Sequence, residues 1–256
     1  MKLVMMFGMM ATTAAYQSGL VLSYGLTRHL TTRGRVDDSH NHVHATEVLF
    51  WANEIMRAHP VSRREADAAG HCALLHDLLD GKYEIPGADG VVRHHLIDVI
   101  GYSQETADDM MRVMTSISYH KTMLNDNNGP VFPDWLEDSS WKNVFHITRD
   151  ADLLASYNMA RMIEFRRHFR PWLHPEEIAD EVIELYDERM DTLLDRSAFH
   201  HEASRHIAGA LERICRLRRG IVPTAVHLPS LDILRIINHL DPYAVIRDNE
   251  LLPTED

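Results

Sequence analysis

Ser62-Arg63-Arg64-Glu65-Ala66-Asp67-Ala68-Ala69-Gly70-His71-Cys72-Ala73-Leu74-Leu75-His76-Asp77-Leu78-Leu79-Asp80-Gly81-Lys82-Tyr83 is the stretch on which the reading of this chain turns. Ser62 followed three residues later by Glu65 is a capping box, in which each side chain satisfies the other residue's free amide, so a helix starts here. Small and apolar residues carry it to Leu79, and Gly81 supplies the exit. At the end of that apolar run stand an imidazole and a carboxylate side by side, His76 and Asp77. Adjacent helical residues point about 100° apart, so both can serve one ligand only in a groove between helices. An ionised Asp beside an apolar run is costly to bury unless a cation or hydrogen bonds compensate it.

Helix signals continue on both sides. Upstream, residues 12–31 read as a helix that ends before the loop Thr31 to Asp38. Ser39 stands at an N-cap position for a helix carrying Val43, Val48, Trp51, Ala52 and Ile55 to about Ala58, stopped by Pro60. Downstream, Pro86, Gly87 and Gly90 predict a loop from Tyr83 to Gly90, and Ser103 caps a helix to about Tyr119. A loop from Asn125 to Pro130 precedes a long helix over about 140–168. Pro175 with Glu176 and Glu177 marks a new N-terminus, with helices expected at 176–196, 199–218 and 230–240. Few segments alternate at period two. The expected fold is therefore all-α: a helical core over residues 1–170 and a C-terminal helical extension over 171–256 packed on it.

The composition narrows the function. The 256 residues are 45 % hydrophobic and 25 % charged, the balance of a globular protein. A net charge of −12 leaves no basic face for a nucleic-acid polymer. An anionic ligand must instead meet a local cluster of cations or a metal. Two cysteines, Cys72 and Cys215, form no CxxC pair, which fits a reducing, cytoplasmic setting. Lys2 and the apolar Leu3–Met10 imitate a secretory signal only loosely, and the Met-rich stretch reads as core-packing helix. No run approaches the roughly 18 apolar residues of a membrane span. Eighteen histidines are the surplus that points to metal or acid–base chemistry.

Three segments place metal-type ligands on different helices: Ser39-His40-Asn41-His42-Val43-His44, the stretch around His76-Asp77, and Arg149-Asp150-Ala151-Asp152-Leu153-Leu154. An ion between His44, His76, Asp77 and Asp152 would compensate the buried carboxylate, and two imidazoles with two carboxylates suit Mn, Fe, Zn, Co or Ni. These residues resemble the HD-domain superfamily of metal-dependent phosphohydrolases, whose signature is H…HD…D on a helical core. The blocks are Ser39-His40 with His44 and Val48; Ala73 to Asp77 with Asp80, Lys82 and Tyr83; Ile117-Ser118-Tyr119; and Asp150-Ala151-Asp152 with Leu154. The likeness covers about residues 37–165. It is closest to the small stand-alone branch, some of whose members hydrolyse nucleoside triphosphates.

The resemblance implies that His44, His76, Asp77 and Asp152 hold one divalent transition metal, with Mn favoured. It makes Asp80 and Asp77 the catalytic candidates, with Asp80, three residues on, placed to position or deprotonate water. Lys82, Lys121 and Arg149 become candidate substrate contacts, with Arg161 a further one. Guanosine-tetraphosphate hydrolases of the superfamily carry Glu-Asp where this chain has Asp80-Gly81, which speaks against that substrate. The expected reaction is release of pyrophosphate from a nucleoside triphosphate. The alternatives are an HD-type di-iron oxygenase, with His94, His95 and His120 as sources of a second metal, and a non-catalytic nucleotide-binding regulator. His40, His42 and His71 read as polar surface or packing. Trp135 and Trp141 either cover the site or pin their loop. A two-fold homodimer is the base-rate expectation.

Overall fold

The computed structural model describes residues 2–34, 36–37, 39–79, 85–123, 130–195 and 197–227. Every regular element among them is helical: α1 (Lys2–Arg33), α2 (His42–Ala58), α3 (Arg63–Leu75), α4 (Ala88–His94), α5 (Gln104–Ser116), α6 (Tyr119–Met123), α7 (Lys142–Ala155), α8 (Met159–Phe169), α9 (Pro175–Asp195), α10 (Glu202–Arg218) and α11 (Val222–Ala225). The all-α expectation holds. No described helix is long and apolar enough to cross a membrane.

The core forms where α2, α3 and α7 pack on one another. On α2, His44, Val48, Trp51 and Ile55 recur at three- and four-residue spacing and are all buried, so His44 is the polar end of the core-facing stripe. On α7 burial runs nearly all the way round, through Val144, Phe145, Ile147, Thr148, Ala151 and Leu154. That helix is the centre of the domain. Full burial of each large apolar side chain here contributes about 1.5–3 kcal/mol.

The capping box at Ser62 is formed as read, and Glu65 also accepts from Asn143 Nδ2 at 2.7 Å, which ties the start of α3 to α7. Other boundaries moved. The N-cap of α2 is Asn41, whose Oδ1 accepts from the Val43 amide at 2.7 Å, because the Ser39 amide and hydroxyl are both engaged by Asp37. The α-helix begun at Ser62 ends at Leu75 and tightens into a 3₁₀ turn, His76–Leu79. The loop expected to Gly90 gives way at Ala88 to α4, which runs into a π turn, His95–Val99. The helix capped by Ser103 stops at Ser116. The long helix over 140–168 is two, because Asn158 caps a new one, its Oδ1 accepting from the Ala160 amide at 3.1 Å. The helix expected at 230–240 lies outside the described residues.

The second half of α1 lies across α3. Thr27 Oγ1 donates to the Leu74 carbonyl at 2.7 Å, and Ser23 Oγ bridges His71 Nδ1 at 2.8 Å and His95 Nε2 at 2.9 Å. The approach is close at Gly19, where an added Cβ would sit 3.3 Å from the His71 ring and push it by a few tenths of an ångström. Trp141 is buried under the Arg64 guanidinium, and Trp135 packs edge-on against Phe145, so both pin their loop to the core. From the C-terminal part, α9 packs on α8 and α10 packs on α7 and α2.

Candidate metal centre

Three elements bring the predicted ligands together. His44 comes from the first turn of α2, His76 and Asp77 from the 3₁₀ turn that ends α3, and Asp152 from the last turn of α7. His44 Nε2 lies 3.3 Å from Asp77 Oδ2 and 3.3 Å from Asp152 Oδ1. His76 Nε2 lies 3.3 Å from Asp77 Oδ1 and 3.7 Å from Asp152 Oδ1. The two imidazole rings meet edge-on with centroids 5.3 Å apart.

The tightened turn matters here. In a 3₁₀ helix successive residues are further apart in angle than in an α-helix, and here both His76 and Asp77 nonetheless face the groove between α2 and α7. His76 Nδ1 sits 3.0 Å from the Ala73 carbonyl, which can only accept. The proton is thereby placed on Nδ1, and Nε2 is turned toward the carboxylates.

The donor set suits a cation. His44 Nε2, His76 Nε2 and Asp77 Oδ2 are buried and lack a hydrogen-bond partner, although each has an opposite group within reach. His44, His76 and Asp77 each offer an atom within 4.8 Å of the others, close enough to share one ion. Burial, helped by Arg161, pulls the His44 pKa down to about 3, so this imidazole is a neutral ligand. Burial also opposes charge on His76, but Asp77 and Asp152 outweigh it and raise the pKa to about 9. In turn the two imidazoles overcome the burial penalty on Asp77 and Asp152 and hold both carboxylates below their ordinary values.

The cluster opens into a pocket. Asp77, Asp152 and His76 form one end; Lys121, Arg161 and Arg189 supply cations; Met114, Ile117, Met162, Phe165 and Leu185 supply an apolar wall. Ser118 and Tyr119 of the Ile-Ser-Tyr block also line it. So does His40, read as polar surface, whose ring meets those of His44 and Phe165 at 5.9 and 5.7 Å. Asn158 lines it as well, with its Nδ2 3.3 Å from the carboxylate of Glu47, which burial pushes up to about 7.

Several predicted residues take other places. Arg149 is not a substrate contact: it is fully buried in the core, where it donates to the Ala198 carbonyl at 2.6 Å and meets Met123 Sδ at 3.3 Å. It stands one turn before Asp152, about 60° away around the helix, so it is the contacts to Ala198 and Met123 that hold its guanidinium in the core. Asp150 faces away, accepting from the amides of His200 and His201 at 3.1 and 2.9 Å. Burial raises its pKa to about 6. Of the second-metal candidates, His95 is engaged by Ser23 and His94 by Asp98, 2.7 Å away. Asp80 and Lys82 lie outside the described residues. Sequence reasoning missed Arg189 and Asn158. Asn158 was legible as a helix-capping residue type, whereas Arg189 sits in the polar run Asp-Glu-Arg of α9 with nothing to distinguish it.

The chain matches no family model, no curated protein and no solved structure. What can be said of its function therefore rests on the geometry of the buried His44, His76 and Asp77 group, which can hold a metal ion.

Proposed function

We propose that this chain is a metal-dependent phosphohydrolase of the HD type, acting on a small phosphorylated metabolite. The specific reaction proposed is hydrolysis of a nucleoside triphosphate to the monophosphate and pyrophosphate. The observation that carries the reading is the convergence of two imidazoles and two carboxylates from three helical elements at the end of a pocket that also holds three cationic side chains.

His44, His76, Asp77 and Asp152 would hold one divalent transition metal. Bound there, the ion supplies Lewis acidity, neutralising charge on a phosphoryl oxygen and acidifying a water molecule. The protein does the positioning. The Ala73 carbonyl orients His76, and Arg161, braced by the Ser39 and Ala155 carbonyls at 2.7 and 3.1 Å, presents a fixed guanidinium to phosphate oxygens. The apolar wall accommodates the rest of the substrate. In the reaction water adds to the α-phosphorus, the bond to the bridging oxygen breaks, and pyrophosphate leaves. The resemblance assigns Asp80 the water and Lys82 a phosphate. The engagement of His94 and His95 elsewhere favours this reading over the di-iron one.

The test is a panel of nucleoside mono-, di- and triphosphates incubated with metal-stripped protein, with and without Mn²⁺, followed by product separation. Monophosphate and pyrophosphate are expected only with metal and intact Asp77. Full metal content and activity in Asp77→Ala or His76→Ala would overturn the assignment.

A further inference from the structure

The metal centre accounts for one phosphoryl group of a ligand, but the pocket holds more positive charge than one such group requires. Arg161 enters from α8 and Arg189 from α9, with Lys121 at the rim donating to the Thr115 carbonyl at 2.6 Å. Arg189 is the unusual member. Its Nε is buried without a hydrogen-bond partner, and among the described residues its guanidinium makes no ion pair. Its Cζ sits instead over the Tyr119 ring, 4.3 Å from the centroid, and Tyr119 is itself pocket lining. Stacking on an aromatic face fixes the plane of a guanidinium and leaves its edge donors free.

The two arginines also line the same pocket. Burial, and to a lesser degree Arg161, opposes the charge on Arg189, and the carboxylate that favours that charge is Asp152, already flanked by both imidazoles. Two like charges in a part-buried pocket, one with an unpartnered donor, are a costly arrangement unless an anion sits between them. A phosphoryl group matches it, since guanidinium edges present parallel donors to a pair of phosphate oxygens.

We propose that Arg161 and Arg189 form a two-guanidinium seat for a second phosphoryl group, so that the pocket takes a diphosphate or longer oligophosphate in preference to a phosphomonoester. The proposal rests on the reading of the His44–His76–Asp77–Asp152 cluster as the centre that holds the first phosphoryl group. It also gives α9, and with it the C-terminal extension, a direct part in recognition.

The experiment separates this proposal from the hydrolase reading by measuring binding without turnover. Full-length protein freed of metal on a chelating resin is titrated calorimetrically with inorganic pyrophosphate at low salt. Pyrophosphate should bind, and Arg189→Gln and Arg161→Gln should each weaken it at least tenfold. Arg189→Lys, which keeps the charge but loses the stacked planar donors, should recover only part of the loss. Thermal melting of each variant establishes that it is folded. In the metal-loaded enzyme, Arg189→Gln should raise KM for a nucleoside triphosphate at least tenfold while changing KM for p-nitrophenyl phosphate less than threefold. No pyrophosphate binding by the wild type, or equal binding by folded Arg189→Gln, overturns the seat even if the enzyme hydrolyses nucleotides. Arginine-dependent pyrophosphate binding without hydrolysis of any nucleotide would sustain the seat and remove the hydrolase reading.

Discussion

Removing Asp77 from the cluster should abolish the stabilisation of this protein by Mn²⁺. In the wild type Nε2 of His44, Nε2 of His76 and one oxygen of Asp77 are buried without hydrogen bonds, and each such atom carries a desolvation penalty of about 1–3 kcal/mol. An ion bound to them relieves these penalties only in the folded state, and so raises stability by mass action. At a free Mn²⁺ concentration one hundred times Kd the gain is about 2.7 kcal/mol. For a chain of this size each kcal/mol moves the melting temperature by roughly 2–4 °C, so the expected rise is roughly 5–10 °C. Asp77→Asn keeps the shape of the side chain but removes the charge, and should reduce the rise to less than about 2 °C, a fraction of the wild-type shift. His94→Ala is the control, because His94 is exposed and pairs with Asp98 away from the cluster, and it should keep the full rise. The assay is a Mn²⁺ titration followed by differential scanning calorimetry on chelator-treated protein. Manganese is preferred to zinc because zinc also binds histidines of the unfolded chain. An equal rise in Asp77→Asn, or none in the wild type up to millimolar Mn²⁺, would refute the reasoning.

Two further predictions concern the core. Arg149→Met should destabilise the fold by about 3–5 kcal/mol in urea unfolding, because it leaves the buried Asp150 carboxylate without its neighbouring cation, 3.7 Å away. A loss below about 1 kcal/mol together with a raised KM would instead restore Arg149 as a ligand contact. Stability should also fall as the pH drops from 6.5 to about 4. Burial holds His71 and His201 near 4 and His146 near 3, each below its ordinary 6.5, so the unfolded chain takes up protons that the folded chain refuses. Glu47 and Asp150, raised to about 7 and about 6, act in the opposite direction over part of this range, and the three histidines outweigh them. A urea midpoint that is flat or rising between pH 7 and 4.5 would contradict this balance.

The all-α class and the buried His44, His76 and Asp77 group were legible because they rest on local chemistry. The Ser62–Glu65 box and the Ser103 cap are short-range signals, and His44, His76, Asp77 and Asp152 are ligand types at the ends of core-facing stripes. What was not legible depends on competition between partners. Ser39 is a good cap, but Asp37 engages it first, and the helix starts at Asn41. Arg149 and Asp150 look like site residues because they sit near Asp152, yet Asp150 is turned to the amides of His200 and His201, and Arg149 is drawn to the Ala198 carbonyl. Arg189 could not be chosen from several arginines until α9 was seen to lie along α8.

That double use of α7 has a consequence for how the chain can be handled. Asp152 faces the cluster while Asp150 and Arg149, in the same turns, secure the segment 198–201 through three backbone contacts. A chain cut after residue 170 would strand a carboxylate and a guanidinium in newly opened apolar surface, on the helix that carries Asp152. Loss of the last third of the sequence is therefore expected to blunt ion affinity at a distance, and α7 and the segment 198–201 should melt as one cooperative unit.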